Sequence, residues 1–408
     1  MFKFASTLAV LMASASLAFA ATPPAAAKPP HRILHENLIV LDTHFDTPAN
    51  LAVDGFDITA RHAPEDGSQV DYPRMVEGGV DGGVFVIFTA QGARGAAGNA
   101  EARDHALRRA VVIHRMLAKH DDLFALATRA EDAEAISKAG KRFVYISLEN
   151  SSPVAGDLTL MKTFYDLGVR MMGPVHTLNN DLADSSTDPK GAEWGGLSPL
   201  GRQFVAEANR LGVAIDASHS SDAALDQMIA LSKAPIILSH TGLKAIYDHP
   251  RNIDDDRLRA LAAKGGVIQI NAFSGYMIDT PRIPERQAAL AELARTYGDV
   301  RQVPVERREA YRAARREIDA KWPLPRANMD DLVKHILHAA KVAGKDHIGI
   351  SGDFDGGGGV TGFEDVTDFP ALTERLIAEG FSEEDLVKFW GGNALRVLKE
   401  ADRLKDAP

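Results

Sequence analysis

From residue 38 onward the chain alternates short, β-rich apolar runs with longer stretches whose apolar residues recur three or four apart, and it does so eight times. The runs fall at 38–46, 80–89, 142–149, 169–176, 213–219, 236–240, 266–273 and 347–353. Helical spacing is clearest over Glu101 to His120, Leu200 to Leu211, Asp222 to Leu231 and Asp255 to Lys264. Strand then helix, repeated in this way, predicts an α/β fold, a (β/α)8 barrel of the TIM type, with residues 31–408 as one domain. One stretch breaks the rhythm. Thr280 to Arg326, between the seventh and eighth strands, is rich in Arg, Glu and Ala and reads as an inserted, solvated helix pair, with a lid or a dimer contact as the alternative.

A barrel of this kind gathers its active site at the C-terminal ends of its strands, so the residues at those ends carry the functional question. The first strand ends on His44 and Asp46, two residues apart and therefore on one face of an extended chain. The third ends on Glu149, the fourth on His176, the fifth on His219, the sixth on His240, and the eighth on Asp353 and Asp355. Any one of these could be an ordinary loop residue. Six strand ends that each bring an imidazole or a carboxylate to one rim would repel and desolvate one another unless a cation offset them. Imidazole and carboxylate are ordinary zinc ligands and the chain has no thiolate to offer. Glu149, with two oxygens, could bridge two ions about 3.5–4 Å apart. The remaining histidines read as structural. His105, His114 and His120 lie on the first long helix, and His335 and His338 share a helix without carboxylates facing the same way. His31, His35 and His62 fall in loop-like sequence.

Composition narrows the partners. The chain is 45% hydrophobic and 25% charged with a formal net charge of −10, which argues against nucleic acid or an anionic membrane as the main partner. Residues 1–20 read as an export signal: Lys3, an apolar run through Leu8, Leu11 and Leu17, and then Ala18-Phe19-Ala20 as the cleavage site. A Pro/Ala-rich linker, 21–30, follows, and the mature protein is expected in the periplasm or secreted. There is no cysteine, so neither disulfides nor an N-terminal Cys lipid is available, and no apolar tail suggests a C-terminal anchor.

Several segments, in order, resemble the renal (membrane) dipeptidase family of zinc peptidases. They are His44-Phe45-Asp46, Ser147-Leu148-Glu149-Asn150, Asp216-Ala217-Ser218-His219, Leu238-Ser239-His240-Thr241, Asp248-His249-Pro250-Arg251-Asn252 and Gly352-Asp353-Phe354-Asp355-Gly356. The likeness runs from about Asn37 to Asn393. It implies two zinc ions per chain, one held by His44 and Asp46, the other by His219 and His240, with Glu149 bridging. It further implies that His176 meets the scissile carbonyl, Arg251 binds the substrate's C-terminal carboxylate, and Asp353 is the acid/base residue, although Asp355 shares its strand parity. Dipeptides are the implied substrates, with the chirality accepted at the second residue varying across the family, D-residues included. Any homodimer would be non-covalent here. Two other readings stay open: a metal-dependent amidase or lactonase for N-acyl amino acids or β-lactams, and a non-catalytic zinc- or peptide-binding protein. The loops Asp54 to Tyr72 and Asn179 to Gly196 match nothing interpretable.

Overall fold

A computed structural model describes residues 28–62, 67–298, 300 and 303–405, so the expected export signal and most of the linker lie outside the described residues. Among the described residues nine strands follow in chain order: β1 (Leu41–Phe45), β2 (Gly82–Phe88), β3 (Phe124–Leu126), β4 (Arg142–Glu149), β5 (Val169–Met172), β6 (Ala214–Ile215), β7 (Ile237–Thr241), β8 (Val267–Asn271) and β9 (Ile348–Ser351). All pair in parallel, in one sheet ordered β1-β2-β4-β5-β6 and a second ordered β7-β8-β9. Eight of the nine form the barrel. The ninth, β3, is too short to show a period in the sequence. It pairs with the first half of β4, from Arg142 to Val144, while β5 takes the second half, from Ile146 to Leu148.

The two sheets meet at two seams, each closed by one isolated bridge: Asp216 with Ile237 between β6 and β7, and Phe45 with Phe354 between β1 and the turn after β9. Behind the second seam an aromatic series runs outward through Phe354, Phe363, Phe369 and Trp390, with successive ring centroids 5.1–5.4 Å apart. His35, at the end of the helix Pro30–His35, meets Trp390 edge-on and bonds Thr373 Oγ1 and the Gly78 carbonyl, which ties the start of the described chain to its end.

Several strands stop earlier than their apolar runs suggest. The fourth expected strand, 169–176, ends at Met172, because Gly173 precedes Pro174, which has no N–H to donate to a ladder. The fifth, 213–219, reduces to two residues, since Asp216 N still bonds Met172 O but Ala217 N has switched to Ile237 O on the other side. Helix boundaries follow local chemistry. Pro199–Leu211 begins at a Ser198 cap and ends at Gly212 with φ 72°, and Met329–Ala343 opens with an Asn328/Asp331 capping box. The insertion is a helix pair, Pro284–Tyr297 and Val305–Lys321, joined by Tyr297 against Tyr311 and by Arg286, whose guanidinium reaches Asp319 and Trp322 O.

Candidate metal centre

The turns that leave the strands set the site. Among the described residues four non-glycines have left-handed backbones, Asn150, His219, Asp353 and Asp355, with φ between 51° and 67°. All four follow a C-terminal strand end on the rim. Such strain persists only where surrounding contacts over-determine it, and it concentrates at functional sites. Gly356 completes the tightest turn: a Cβ there would lie 2.1 Å from Asp46 Oδ2 and 2.6 Å from Asp353 Oδ1.

Four imidazoles converge on Glu149, which is buried. Its Oε2 lies 3.6 Å from His44 Nε2, and His44 Nε2 is 3.5 Å from Asp46 Oδ2. Its Oε1 lies 3.1 Å from His219 Nε2, 3.4 Å from His240 Nε2 and 3.9 Å from His176 Nε2. The two carboxylate oxygens therefore face different imidazoles. Three overlapping sets have ligand atoms within 4.8 Å of one another: His44 with Glu149 and His240, Glu149 with His176 and His219, and His44 with Asp46 and Asp353. His176 thus joins one of the metal-capable sets, although the resemblance implied for it a catalytic and substrate-binding role at the scissile carbonyl and not a ligand's.

The electrostatics fit a bound cation. Burial, then Arg251, holds His219 well below the usual histidine range, and burial, then His44, does the same for His240, so both offer lone pairs. Their Nε2 atoms face each other at 2.9 Å. Burial works against a charge on His44, yet Glu149 and Asp46 outweigh it and push His44 well above its ordinary value. The carboxylates draw positive charge into this spot. Glu149 Oε1, buried, accepts no hydrogen bond among the described residues. Neutral imidazole nitrogens, a carboxylate oxygen with no donor, and a carboxylate pair calling for a cation are the donor set that a divalent zinc-like ion takes.

A cavity of about 330 Å³ opens over these groups, walled by Phe88 and His176 on one side and Phe273 and Tyr276 on another. The structure separates the two aspartates that strand parity left equal. Asp355 accepts from Thr47 Oγ1 at 2.7 Å and from Gln69 N at 2.6 Å. Asp353 accepts from Asn271 Nδ2 at 3.0 Å and shares a cluster with His44 and Asp46, and burial pushes its carboxyl up to about 7. Arg251 is set back. It is 3% exposed, donates to Thr241 Oγ1 and His240 O, and lies 5.4 Å from the centroid of the Tyr276 ring, which lines the cavity. Its buried Nε–H has no partner among the described residues.

Asn271, Thr47 and Gln69 had no place in the sequence reading, and Gly356 stood there only as the end of a family-like segment, because their importance lies in contacts made across the barrel. Only Gly356, in the run of glycines after Asp355, carried a visible signal. His338 also departs from expectation, since Asp255 from a neighbouring helix brings a carboxylate to within 2.8 Å of it. His335 is buried, with Nδ1 accepting from Leu243 N. Among the described residues neither belongs to a metal-capable cluster.

A parallel α/β barrel whose rim joins imidazoles and carboxylates through one buried glutamate is a metal-dependent hydrolase of the amidohydrolase type. The chain belongs to the membrane dipeptidase family, peptidase family M19, whose model matches residues 30–407. It is therefore a metallopeptidase acting on dipeptide peptide bonds. The crystal structure of the probable dipeptidase PvdM from Pseudomonas aeruginosa is similar, with 31% identity, a TM-score of 0.77, and 92% of this chain and 98% of that one covered. An uncharacterised dipeptidase of Schizosaccharomyces pombe is 29% identical over 380 residues, 90% of this chain and 81% of the relative. Human dipeptidase 3 is 28% identical over 305 residues, 74% of this chain and 53% of the human protein.

Proposed function

We propose that this chain is an exported, di-zinc dipeptidase that hydrolyses dipeptides with a free C-terminal carboxylate. The observation that carries the two-ion reading is the division of Glu149, one oxygen toward His44 and the other toward His219 and His240. Bound there, two zinc ions would lower the pKa of a shared water toward about 7 and polarise the scissile carbonyl. His44 and Asp46 would hold one ion, His219 and His240 the other.

The protein's own groups do the rest. His176, held neutral chiefly by burial, lines the cavity beside Phe88 and can hydrogen-bond the oxygen on which charge develops. Asp353, near neutrality in its buried position and oriented by Asn271, takes a proton and returns it to the leaving amine. Arg251, whose Nε–H has no partner among the described residues, makes the Tyr276 side of the cavity the place for the substrate's carboxylate. Export rests on the leader-like residues 1–20.

A panel of dipeptides with L- or D-residues at the second position, assayed with and without chelator, tests this reading. Chelator-sensitive turnover of free dipeptides, lost on blocking the C-terminal carboxylate, is expected. Turnover that survives amidation, or zinc content below about one ion per chain after metal-replete purification, would overturn it.

A further inference from the structure

The two seams of the barrel each contain one buried aspartate that no metal or substrate role uses. At the seam between β9 and β1, Asp42 is fully buried. Its Oδ1 accepts from His44 N at 2.9 Å, and its Oδ2 crosses to accept from Gly352 N at 2.7 Å, beside Asp353. At the seam between β6 and β7, Asp216 is 5% exposed. Its Oδ1 accepts from Ser218 N, beside His219, at 3.0 Å and crosses to accept from Ser239 N, beside His240, also at 3.0 Å. Its Oδ2 accepts from Ser239 Oγ at 2.5 Å, and that hydroxyl lies 2.8 Å from His240 Nδ1.

The plan is the same at both seams. Each aspartate bonds the backbone two residues on, a local habit of Asp, and with the same carboxylate reaches the strand across a gap that regular pairing closes with a single bridge. Each carboxylate thus fixes two functional turns at once: His44 with Asp353 at one seam, His219 with His240 at the other. The need is evident at the imidazoles, since among the described residues His44 Nδ1 and His219 Nδ1 have no hydrogen-bond partner. Those two side chains depend on their backbones for aim. His240 is held by its ring as well: with Ser239 Oγ–H given to Asp216, the hydroxyl oxygen accepts from Nδ1–H and leaves Nε2 bare toward Glu149.

We propose that Asp42 and Asp216 are seam clamps, positioning residues that each hold one half of the metal centre, Asp42 the His44/Asp46 half and Asp216 the His219/His240 half. The proposal rests on the ligand assignment above. Asn has nearly the same shape but turns one acceptor of each clamp into a donor that faces an N–H or O–H.

Zinc titration of the full-length mature chain against a competing chelator reads the effect without turnover. Asp216→Asn is expected to weaken one of two ions 10–100-fold and leave the other within about threefold. Asp42→Asn is expected to do the same to the other ion. Crossing with Asp46→Ala identifies which: in that background Asp216→Asn weakens the ion that remains and Asp42→Asn leaves it unchanged. Two ions held as in the wild type, or both weakened equally by either variant, would overturn the clamps. A wild-type chain that binds no zinc would instead remove the ligand assignment, and the clamps with it. Should Asp216→Asn not fold, Ser239→Ala removes only the hydroxyl link and is expected to weaken the same ion; unchanged affinity there refutes the Asp216 arm.

Discussion

Gly356→Ala adds one methyl group at the tightest point of the centre. The new Cβ would start 2.1 Å from Asp46 Oδ2, against a floor near 3.0 Å for real Cβ contacts, so about 0.9 Å must be found by moving the turn or the carboxylate. The turn has little freedom. Asp353 and Asp355 are already left-handed, Asp355 is held by Thr47 and Gln69, and the Gly356 and Gly358 N–H groups both bond Asp353 O. The Asp46 carboxylate, and Asp353 Oδ1 at 2.6 Å, therefore take up the displacement. A shift near 1 Å in reacting geometry costs roughly 100-fold in rate, and overpacking costs roughly 1–3 kcal/mol in stability. We expect kcat/KM for a good dipeptide to fall about 100-fold, with zinc content lowered and the circular-dichroism spectrum unchanged. Steady-state kinetics, metal analysis and thermal melts on one preparation measure all three. Wild-type turnover and full zinc content would refute the reasoning, because the turn would then have yielded while the carboxylates stayed in place.

Asp46→Ala should loosen one zinc while the His219/His240 ion stays comparatively secure, and chelator titration that finds both ions intact would remove Asp46 from the ligand set. Arg251→Ala should raise KM for free dipeptides by roughly 10–100-fold, the worth of a charge-assisted hydrogen bond, with a smaller change in kcat; an unchanged KM places carboxylate recognition elsewhere. Asp353→Asn should lower kcat by roughly 10²–10⁴ without loss of zinc, as metal analysis and kinetics together would reveal. Away from the site, burial lowers His35 and His335 from 6.5 to about 4, so between those values the unfolded chain binds protons that the folded chain refuses. Stability is then fully present above about pH 6.5 and falls as pH drops toward 4, by about 2–3 kcal/mol per histidine between pH 7 and 4.5. Denaturant unfolding at the two pH values should give a shallower difference in His335→Gln, and an equal difference in both proteins would refute this.

The alternation of apolar runs with helical spacing settled the barrel, because each strand–helix unit must bury its own apolar face and that demand is written locally. The identity of the rim residues was equally local: His44, Asp46, Glu149, His219 and His240 each follow directly on an apolar run, and the folded barrel brings their side chains together around Glu149. Strand ends were less legible. An apolar run through 213–219 looks continuous, yet the backbone leaves the ladder at Asp216 because its partner strand changes there. Only the tertiary structure separated Asp353 from Asp355, since both have the same parity and the difference is made by Asn271 on one side and Thr47 and Gln69 on the other. Only it placed Arg251 against Tyr276, paired His338 with Asp255, and put Asp42 and Asp216 at the two seams. Periodicity in sequence reports which face of an element is buried, but a hydrogen bond between residues 310 positions apart, as from Gly352 N to Asp42, exists only once the barrel has closed.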